Sequence, residues 1–277
     1  MSSVSSSSVS PIDVSPQFEQ RGYVCPLTVM SPDAARGYHA QFEQAERDFG
    51  SQSEFAKMLR RYPNLVLPFV DEITRLAAIT DVVAEILGPD LLVLDAPFFI
   101  KDAQSKSFVS WHQDLHYWGL ESEEEVTAWV ALTPATHESG CMRFVPESHR
   151  RRVEHKDTYD QDNLLTRGQA VTVEVDESQA VDAALQSGQM SIHHGRVFHA
   201  SHPNRSTYRR IGLAIRYIPA RATQVEGGKM AAMLVRGKDD YGHFRSCQRP
   251  SGVMLSEDIA HWREISRARN SVMLAKR

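Results

Sequence analysis

Thiols are scarce in this chain. Its 277 residues include three cysteines, Cys25, Cys141 and Cys247, an odd number, widely spaced and without a C-x-x-C pair. That argues against a disulfide framework or a thiolate zinc site, and it fits a reducing compartment. An excess of positive charge is missing too. The 31 Lys and Arg stand against 35 Asp and Glu, a formal net charge of -4, which speaks against a nucleic-acid partner held by bulk electrostatics. No apolar run approaches the ~18 residues that a membrane-crossing helix needs, so no membrane span is expected. The first residues, MSSVSSSSVSPIDVSP, have neither a basic start nor an apolar stretch. They do not read as a signal peptide, and a cytoplasmic protein is expected. There is no internal repeat, and no β–α–β alternation to suggest a parallel sheet.

What is present suffices for one good core, since 42% of the residues are hydrophobic. Residues 1–14 are serine-rich and expected to be disordered, which leaves 15–277 as a single domain. Ser31-Pro32-Asp33 combines a polar cap with a proline at the first helical turn. It predicts a helix to about Asp48 with Ala35, Tyr38, Phe42 and Ala45 on one face. A second helix is expected over about 51–61, a buried apolar stretch over 64–70, and one further helix over 71–87, stopped by Gly88-Pro89. Helical support therefore spans about 31–88. Beyond it come LLVLDAPFFIKD, FVSWHQDLHYW, VTAWVAL, CMRFVP, AVTVEV, MSIHH, VFHAS and RRIGLAIRYI, short, rich in branched and aromatic residues, and separated by turn signals. They predict a mainly β protein with flanking helices and a double-stranded β-helix (jelly roll, cupin-like) core over about 90–220. Residues 221–277 read as a C-terminal tail, with 221–243 as a lid-like loop over one barrel mouth.

The chemistry begins in WHQDLHYWGL, residues 111–120. On a strand, positions i and i+2 share a face, so His112 and Asp114 present an imidazole and a carboxylate side by side. That mixed pair suits a divalent ion of intermediate softness, although by itself it also describes an ordinary polar strand face. The second segment is HHGRVFHASHPNRSTYRRIGLAIRYIP, residues 193–219. Pro203-Asn204-Arg205-Ser206 reads as a tight turn. A hairpin centred between Asn204 and Arg205 sets His199 opposite Arg210, and puts Ser201, Arg210, Gly212, Ala214 and Arg216 on the same face. Ile211, Leu213, Ile215 and Tyr217 then form an apolar face that packs under the helices. Two histidines and one carboxylate match the triad of non-haem iron(II) oxygenases. A fixed arginine nearby offers a fork for the distal carboxylate of a chelating keto acid. His193 and His194 remain rivals to His199, and Arg209 remains a rival to Arg210.

At this point the chain resembles the phytanoyl-CoA dioxygenase family of Fe(II)/2-oxoglutarate oxygenases. The resemblance covers roughly residues 16–220. It rests on HxD with His199 and Arg210 downstream, on FEQRGYV (18–24), which resembles the family's opening strand, and on GCMRFVPESH (140–149). The last is similar to the family's G-x-(L/M)-x-(V/F)-(I/V)-P-G-S-H, with Glu147 in place of the usual glycine. The resemblance implies that His112, Asp114 and His199 bind iron. Arg210 and Ser201 would hold the far carboxylate of 2-oxoglutarate, Trp129 would flank it, and Lys101 or Gln104 would reach it. It also implies O2 as co-substrate and ascorbate as a supporting reductant.

Asp114 stands where halogenases of the family carry a small residue, which favours hydroxylation or a related oxidation over halide transfer. A cupin-like metal enzyme that does not use 2-oxoglutarate is the other enzymatic alternative, and Arg210 counts against it. A binding module that keeps the fold without catalysis is the non-enzymatic one. His116, Trp118, Arg143, Arg216 and His243 are expected to line the substrate pocket. Lys101, Arg143, Arg196, Arg216, Arg236 and Lys238 suggest a basic mouth and a small anionic or zwitterionic substrate. The oligomeric state stays open.

Overall fold

The structure, a computed structural model, describes residues 14–115, 119–225 and 230–274, with side chains to 269. The expected disorder over 1–14 falls outside them except at Val14, which already starts a helix. The helical section comprises α1 (Val14–Arg21), α2 (Pro32–Phe49), α3 (Phe55–Arg60), α4 (Pro68–Thr74) and α5 (Ala77–Leu87), with strand β1 (Tyr23–Thr28) after α1. The strands that follow are β2 (Leu91–Asp95), β3 (Phe98–Lys101), β4 (Val109–His112), β5 (Val126–Ala131), β6 (Met142–Val145), β7 (His155–Asp157) and β8 (Gln169–Val171). After them come β9 (Val181–Ala183), β10 (Gln189–His194), β11 (Phe198–Ser201), β12 (Arg210–Pro219), β13 (Ala231–Arg236), β14 (Arg245–Ser246) and helix α6 (Ser256–Leu274).

These strands build the expected jelly roll. The major sheet runs β1-β10-β5-β12-β2-β13-β14, with β3 also on β12, and the minor sheet runs β4-β11-β6-β9. The pairings are antiparallel except for β13 with β14. β12 is the axis of the major sheet. It pairs with β5 along one side and with β3 and then β2 along the other. Its alternation works as the sequence suggests. Ile211, Leu213, Ile215 and Tyr217 are fully buried in one core with Phe42 of α2, Ile73 of α4 and Val83 of α5. Among the described residues, no helix is long and apolar enough to cross a membrane.

Several expectations change. β11 and β12 are not a hairpin: β11 pairs with β4 and β6, β12 with β5, β2 and β3. The residues between them pass from one sheet to the other. Asn204 holds that crossover, its amide nitrogen donating to the Lys101 and Tyr208 carbonyls at 3.1 and 2.7 Å and its oxygen accepting from the Ser206 amide at 2.9 Å. FEQRGYV is a helix end followed by a strand, because Phe18 belongs to α1 and β1 begins at Tyr23. The helix read over 71–87 is two helices, and the chain turns at Arg75-Leu76. LLVLDAPFFIKD is two strands, β2 and β3, on either side of Ala96-Pro97.

The C-terminal tail is not simply a lid. β13 extends the major sheet beside β2, and α6 returns to the core. There Trp262 is buried and donates its indole N–H to the Arg61 carbonyl at 2.7 Å. An apolar strand added to the sheet and a buried tryptophan satisfy the hydrophobic driving force that a free loop would leave unmet. Part of the proposed lid, 226–229, lies outside the described residues.

Phe42 shows how the helices hold the sheet: its ring is 0% exposed and lies 4.8 Å from that of Phe98 on β3. Phe42→Ala is expected to cost roughly 3–5 kcal/mol in urea unfolding. Since this contact is on the helix side of the sheet, metal affinity at the opposite face should stay at the wild-type value in isothermal titration.

Candidate active site

His112 and His199 meet because β4 and β11 pair in register, His112 directly opposite His199. Their ring centroids are 4.0 Å apart. Asp114 lies two residues beyond the end of β4, so it is placed by the chain's turn out of the strand and not by strand parity. Its Oδ1 is 3.5 Å from His112 Nε2. One donor atom from each of His112, Asp114 and His199 lies within 4.8 Å of the others, and all three side chains are buried.

The ring tautomers follow from the neighbours. His112 Nδ1 lies 2.9 Å from the Ser110 carbonyl and 3.1 Å from that of His199; His199 Nδ1 lies 3.0 Å from the Val197 carbonyl. A carbonyl only accepts, so each Nδ1 carries the proton and donates it, and each Nε2 lone pair is left for a metal. Burial, with the fields of His112 and His193, pushes His199 well below the ordinary histidine value and keeps it a neutral ligand. Burial alone would raise the Asp114 carboxyl. The neighbouring His112 ring and the field of Arg216 outweigh that and hold it far below the usual carboxylate range. Two neutral imidazoles and one carboxylate are a donor set that fits a divalent transition ion.

A second polar group lies beside the triad, with Arg210 and Ser201 in the wall of the cavity that the triad lines. Lys101 on β3 and Arg210 on β12 are direct partners across the strands and are 0% and 2% exposed. Lys101 Nζ donates to Ser201 Oγ at 2.6 Å and to the His202 carbonyl. Arg210 Nη1 donates to the Gly140 carbonyl at 2.6 Å, its Nε has no partner among the described residues, and its guanidinium lies over Trp129, 5.1 Å from the ring centroid. Neither cation has a carboxylate in ion-pair reach among the described residues. Burial and the Arg210 charge push Lys101 down to about 6, and burial lowers Arg210 to about 10. Two buried cations without a counterion are costly in a protein interior and call for an anionic ligand.

The structure thus brings His112, Asp114, His199, Ser201, Trp129, Arg210 and Arg216 to one cavity, with Lys101 behind its wall on the Ser201 hydroxyl. Other expected site residues lie elsewhere. Gln104 is exposed and ties its amide to the Arg205 and Ser206 carbonyls of the crossover. Arg143 lies in a separate groove and pairs with Glu177 and Asp182. His243 is exposed, its Nδ1 bonded to the Ala222 carbonyl at 3.0 Å. Of the basic-mouth residues, Arg196 pairs with Glu123, Arg236 with Asp81 and Lys238 with Asp240, away from the cavity. His116 and Trp118 lie outside the described residues. Arg209, the rival to Arg210, points to Glu46 and Asp102.

Thr127 and His193 line the cavity as well. Parity with Trp129 on the same strand was the available signal for Thr127. Next to it, Glu125 is fully buried and pushed well above the ordinary value by burial and by Asp114, so it is a neutral acid. Gly195 leaves room for it, since a Cβ there would lie 2.3 Å from Glu125 Oε2. Glu147 has φ 66°, the left-handed conformation that explains why glycine is the usual residue at that place in the motif.

Gly212 is another position where a side chain is forbidden. A Cβ there would lie 2.0 Å from the Trp129 ring, which lies across the strand. Gly212→Ala should displace Trp129 from the cavity wall, seen as a changed near-ultraviolet circular dichroism band and a lowered Tm. An unchanged band would show that the ring is not held by that contact.

Comparison with known proteins agrees with this architecture. The pattern of the phytanoyl-CoA dioxygenase family matches residues 18–212. A probable alpha-ketoglutarate-dependent hypophosphite dioxygenase of Stutzerimonas stutzeri is 27% identical over 198 residues, 67% of each chain. The solved structure of the non-heme monooxygenase ThoJ in its apo form superposes with a TM-score of 0.86 at 32% identity, covering 96% of this chain and 100% of that one. CytC3 with Fe(II) and alpha-ketoglutarate, 23% identical, has the same fold at a TM-score of 0.65, over 88% of this chain and 95% of its own. On these grounds the chain belongs to the phytanoyl-CoA dioxygenase family of iron(II)- and 2-oxoglutarate-dependent oxygenases.

Proposed function

We propose that this protein hydroxylates, or otherwise oxidises, an unactivated C–H bond of a small-molecule metabolite, with 2-oxoglutarate and O2 converted to succinate and CO2. The observation that carries the reading is the pairing, in one cavity, of a buried His112–Asp114–His199 triad with a buried Arg210 that has no counterion among the described residues and has Lys101 beside it. His112, Asp114 and His199 would hold iron. Bound iron(II), with 2-oxoglutarate as the source of electrons, supplies the activation of O2. Arg210 and Lys101 would grip the far carboxylate of 2-oxoglutarate through charge-assisted hydrogen bonds, with Ser201 presenting its hydroxyl beside them. Trp129, in the cavity wall against the Arg210 guanidinium, would keep water off the co-substrate. Asp114 supplies the carboxylate that favours oxygen transfer over halide transfer.

The substrate would enter through a second cavity of about 820 Å³, which shares His112, Asp114, Phe99 and Arg216 with the first. Its volume falls in the range of small-molecule sites, roughly 300–1,000 Å³, and it offers far more space than a hypophosphite ion fills. Arg61, Arg167, Arg216 and Arg269 are in its wall, where Arg167 pairs with Asp157 and Arg216 and Arg269 pair with Asp95; a small anionic or zwitterionic substrate would share these arginines with those carboxylates. The basic mouth read from the sequence is thus built from different arginines, with Arg216 the one in common.

The decisive test is release of succinate from 2-oxoglutarate with Fe(II), ascorbate and O2, screened for compounds that stimulate it. Asp114→Ala should abolish both metal binding and substrate oxidation. Arg210→Ala should raise the KM for 2-oxoglutarate by about 10–100-fold, the loss expected for a charge-assisted pair worth roughly 1.5–3 kcal/mol. An unchanged KM would remove Arg210 from the co-substrate site.

Lys101 adds a pH signature. With its pKa near 6 in the free protein, Lys101 is mostly neutral at pH 7.5. A bound carboxylate stabilises the ammonium and raises that pKa, so binding takes up a proton. Affinity should therefore fall as pH rises above about 6. Calorimetry in buffers of different ionisation enthalpy should report uptake of up to about one proton at pH 7.5. Zero uptake, in the wild type and in Lys101→Met alike, would place the carboxylate elsewhere.

A further inference from the structure

Three neighbouring strands of the major sheet carry a row of polar residues at one level. β10 pairs with β5 so that His193 faces Thr127, and β5 pairs with β12 so that Thr127 faces Arg216. Directly paired residues share a sheet face, and all three line the cavity. Asp114 points into this row from the other side. Its Oδ1 is on the His112 side, at 3.5 Å from Nε2. Its Oδ2 is 3.4 Å from Thr127 Oγ1 and 4.0 Å from His193 Nε2.

His193 needs a partner. It is 1% exposed, and neither ring nitrogen has a hydrogen bond among the described residues. A buried polar group left in that state is destabilising, because it has lost its water without gaining a partner. The ring lies 4.7 Å from that of His199, centroid to centroid, and it packs against Phe144 on another side. Asp114 Oδ2 lies 4.0 Å from its Nε2, a shift of about 1 Å from hydrogen-bond length. Thr127 is already connected: its hydroxyl is 2.8 Å from Glu125 Oε1. The Glu125 carboxyl can donate to that oxygen and leave the threonine proton directed at Asp114.

We propose that Thr127 and His193 are positioning residues that hold Oδ2 of Asp114, so that Oδ1 alone is offered to the metal. The inference rests on the reading of Asp114 as a metal ligand. Its chemical sense is economy of coordination. A carboxylate that gripped with both oxygens would take up one of the positions that a three-residue triad leaves for the co-substrate and O2. Two donors on Oδ2 oppose that grip and fix the plane of the carboxylate, which is how groups behind the ligands commonly act. The strand register supplies both donors from adjacent strands, so neither depends on a loop.

The test uses the full chain and Co(II) without co-substrate, read by titration calorimetry and by the visible absorption band of the bound ion. Thr127→Val keeps the shape and removes the donor; His193→Phe keeps a ring and removes both nitrogens. Each should weaken Co(II) binding by about 10–100-fold and shift the band, while Thr127→Ser should restore the wild-type values. Thermal melts establish that each variant is folded. Wild-type affinity and band in Thr127→Val would overturn the proposal, and so would a Thr127→Ser protein as impaired as Thr127→Val. Complete loss of Co(II) in His193→Phe would overturn it too, by making His193 a ligand. Asp114→Ala separates the two levels. If it binds Co(II) like the wild type, the metal reading itself fails; if it loses Co(II) while Thr127→Val does not, only the positioning role fails.

Discussion

The alternation of β12 is the constraint on which the site depends. One face, Ile211, Leu213, Ile215 and Tyr217, is sealed into the helices. The other, Arg210, Gly212, Ala214 and Arg216, is turned into the cavity. A slip of one residue would bury two arginines among leucines and phenylalanines, so the register is held by the whole apolar core. The relations that β12 makes in the site follow from it: Arg210 beside Lys101, Ala214 beside Trp129, Arg216 beside Thr127. The helices have no part in the chemistry, yet they decide which residues take part.

Charge is distributed unevenly along that inner face. At one end Lys101 and Arg210 are buried without a carboxylate in reach among the described residues; at the other Asp114 is buried between imidazoles. Each end is unfavourable alone, because burial penalises the charged form. In the proposed function, a metal ion at one end and a dicarboxylate at the other would remove both penalties. Neutral His199, neutral Glu125 and the lowered Lys101 all express the same dryness. The space proposed for substrate lies beyond, in the wider cavity that His112 and Asp114 also line.

Much of this was legible in the residue order. The switch from helical spacing to short branched runs after Pro89 gave the layers, and Ser31-Pro32 gave the start of α2 to the residue. His112, Asp114 and His199 were legible because their residue types are rare together, and Arg210 because it shares parity with Gly212 and Ala214. The route to His199 and Arg210 was different from the expected one. They come together across two sheets after a crossover held by Asn204, where the local turn signal suggested a hairpin. A turn tetrapeptide reports that the chain bends, but not which sheet receives the next strand.

The sequence by itself determined the class of chemistry, since two imidazoles, a carboxylate and a fixed cation admit few uses, and it determined which face of β12 is apolar. Only the tertiary structure decided which charges meet. Arg143, Arg196, Arg236 and Lys238 looked as available as any other cations, yet each found a carboxylate elsewhere. Thr127 and His193, ordinary in the chain, came to stand over Asp114. The physical reason is that hydrophobic patterning is a local property repeated along each strand, whereas the pairing of polar groups depends on register between strands far apart in sequence.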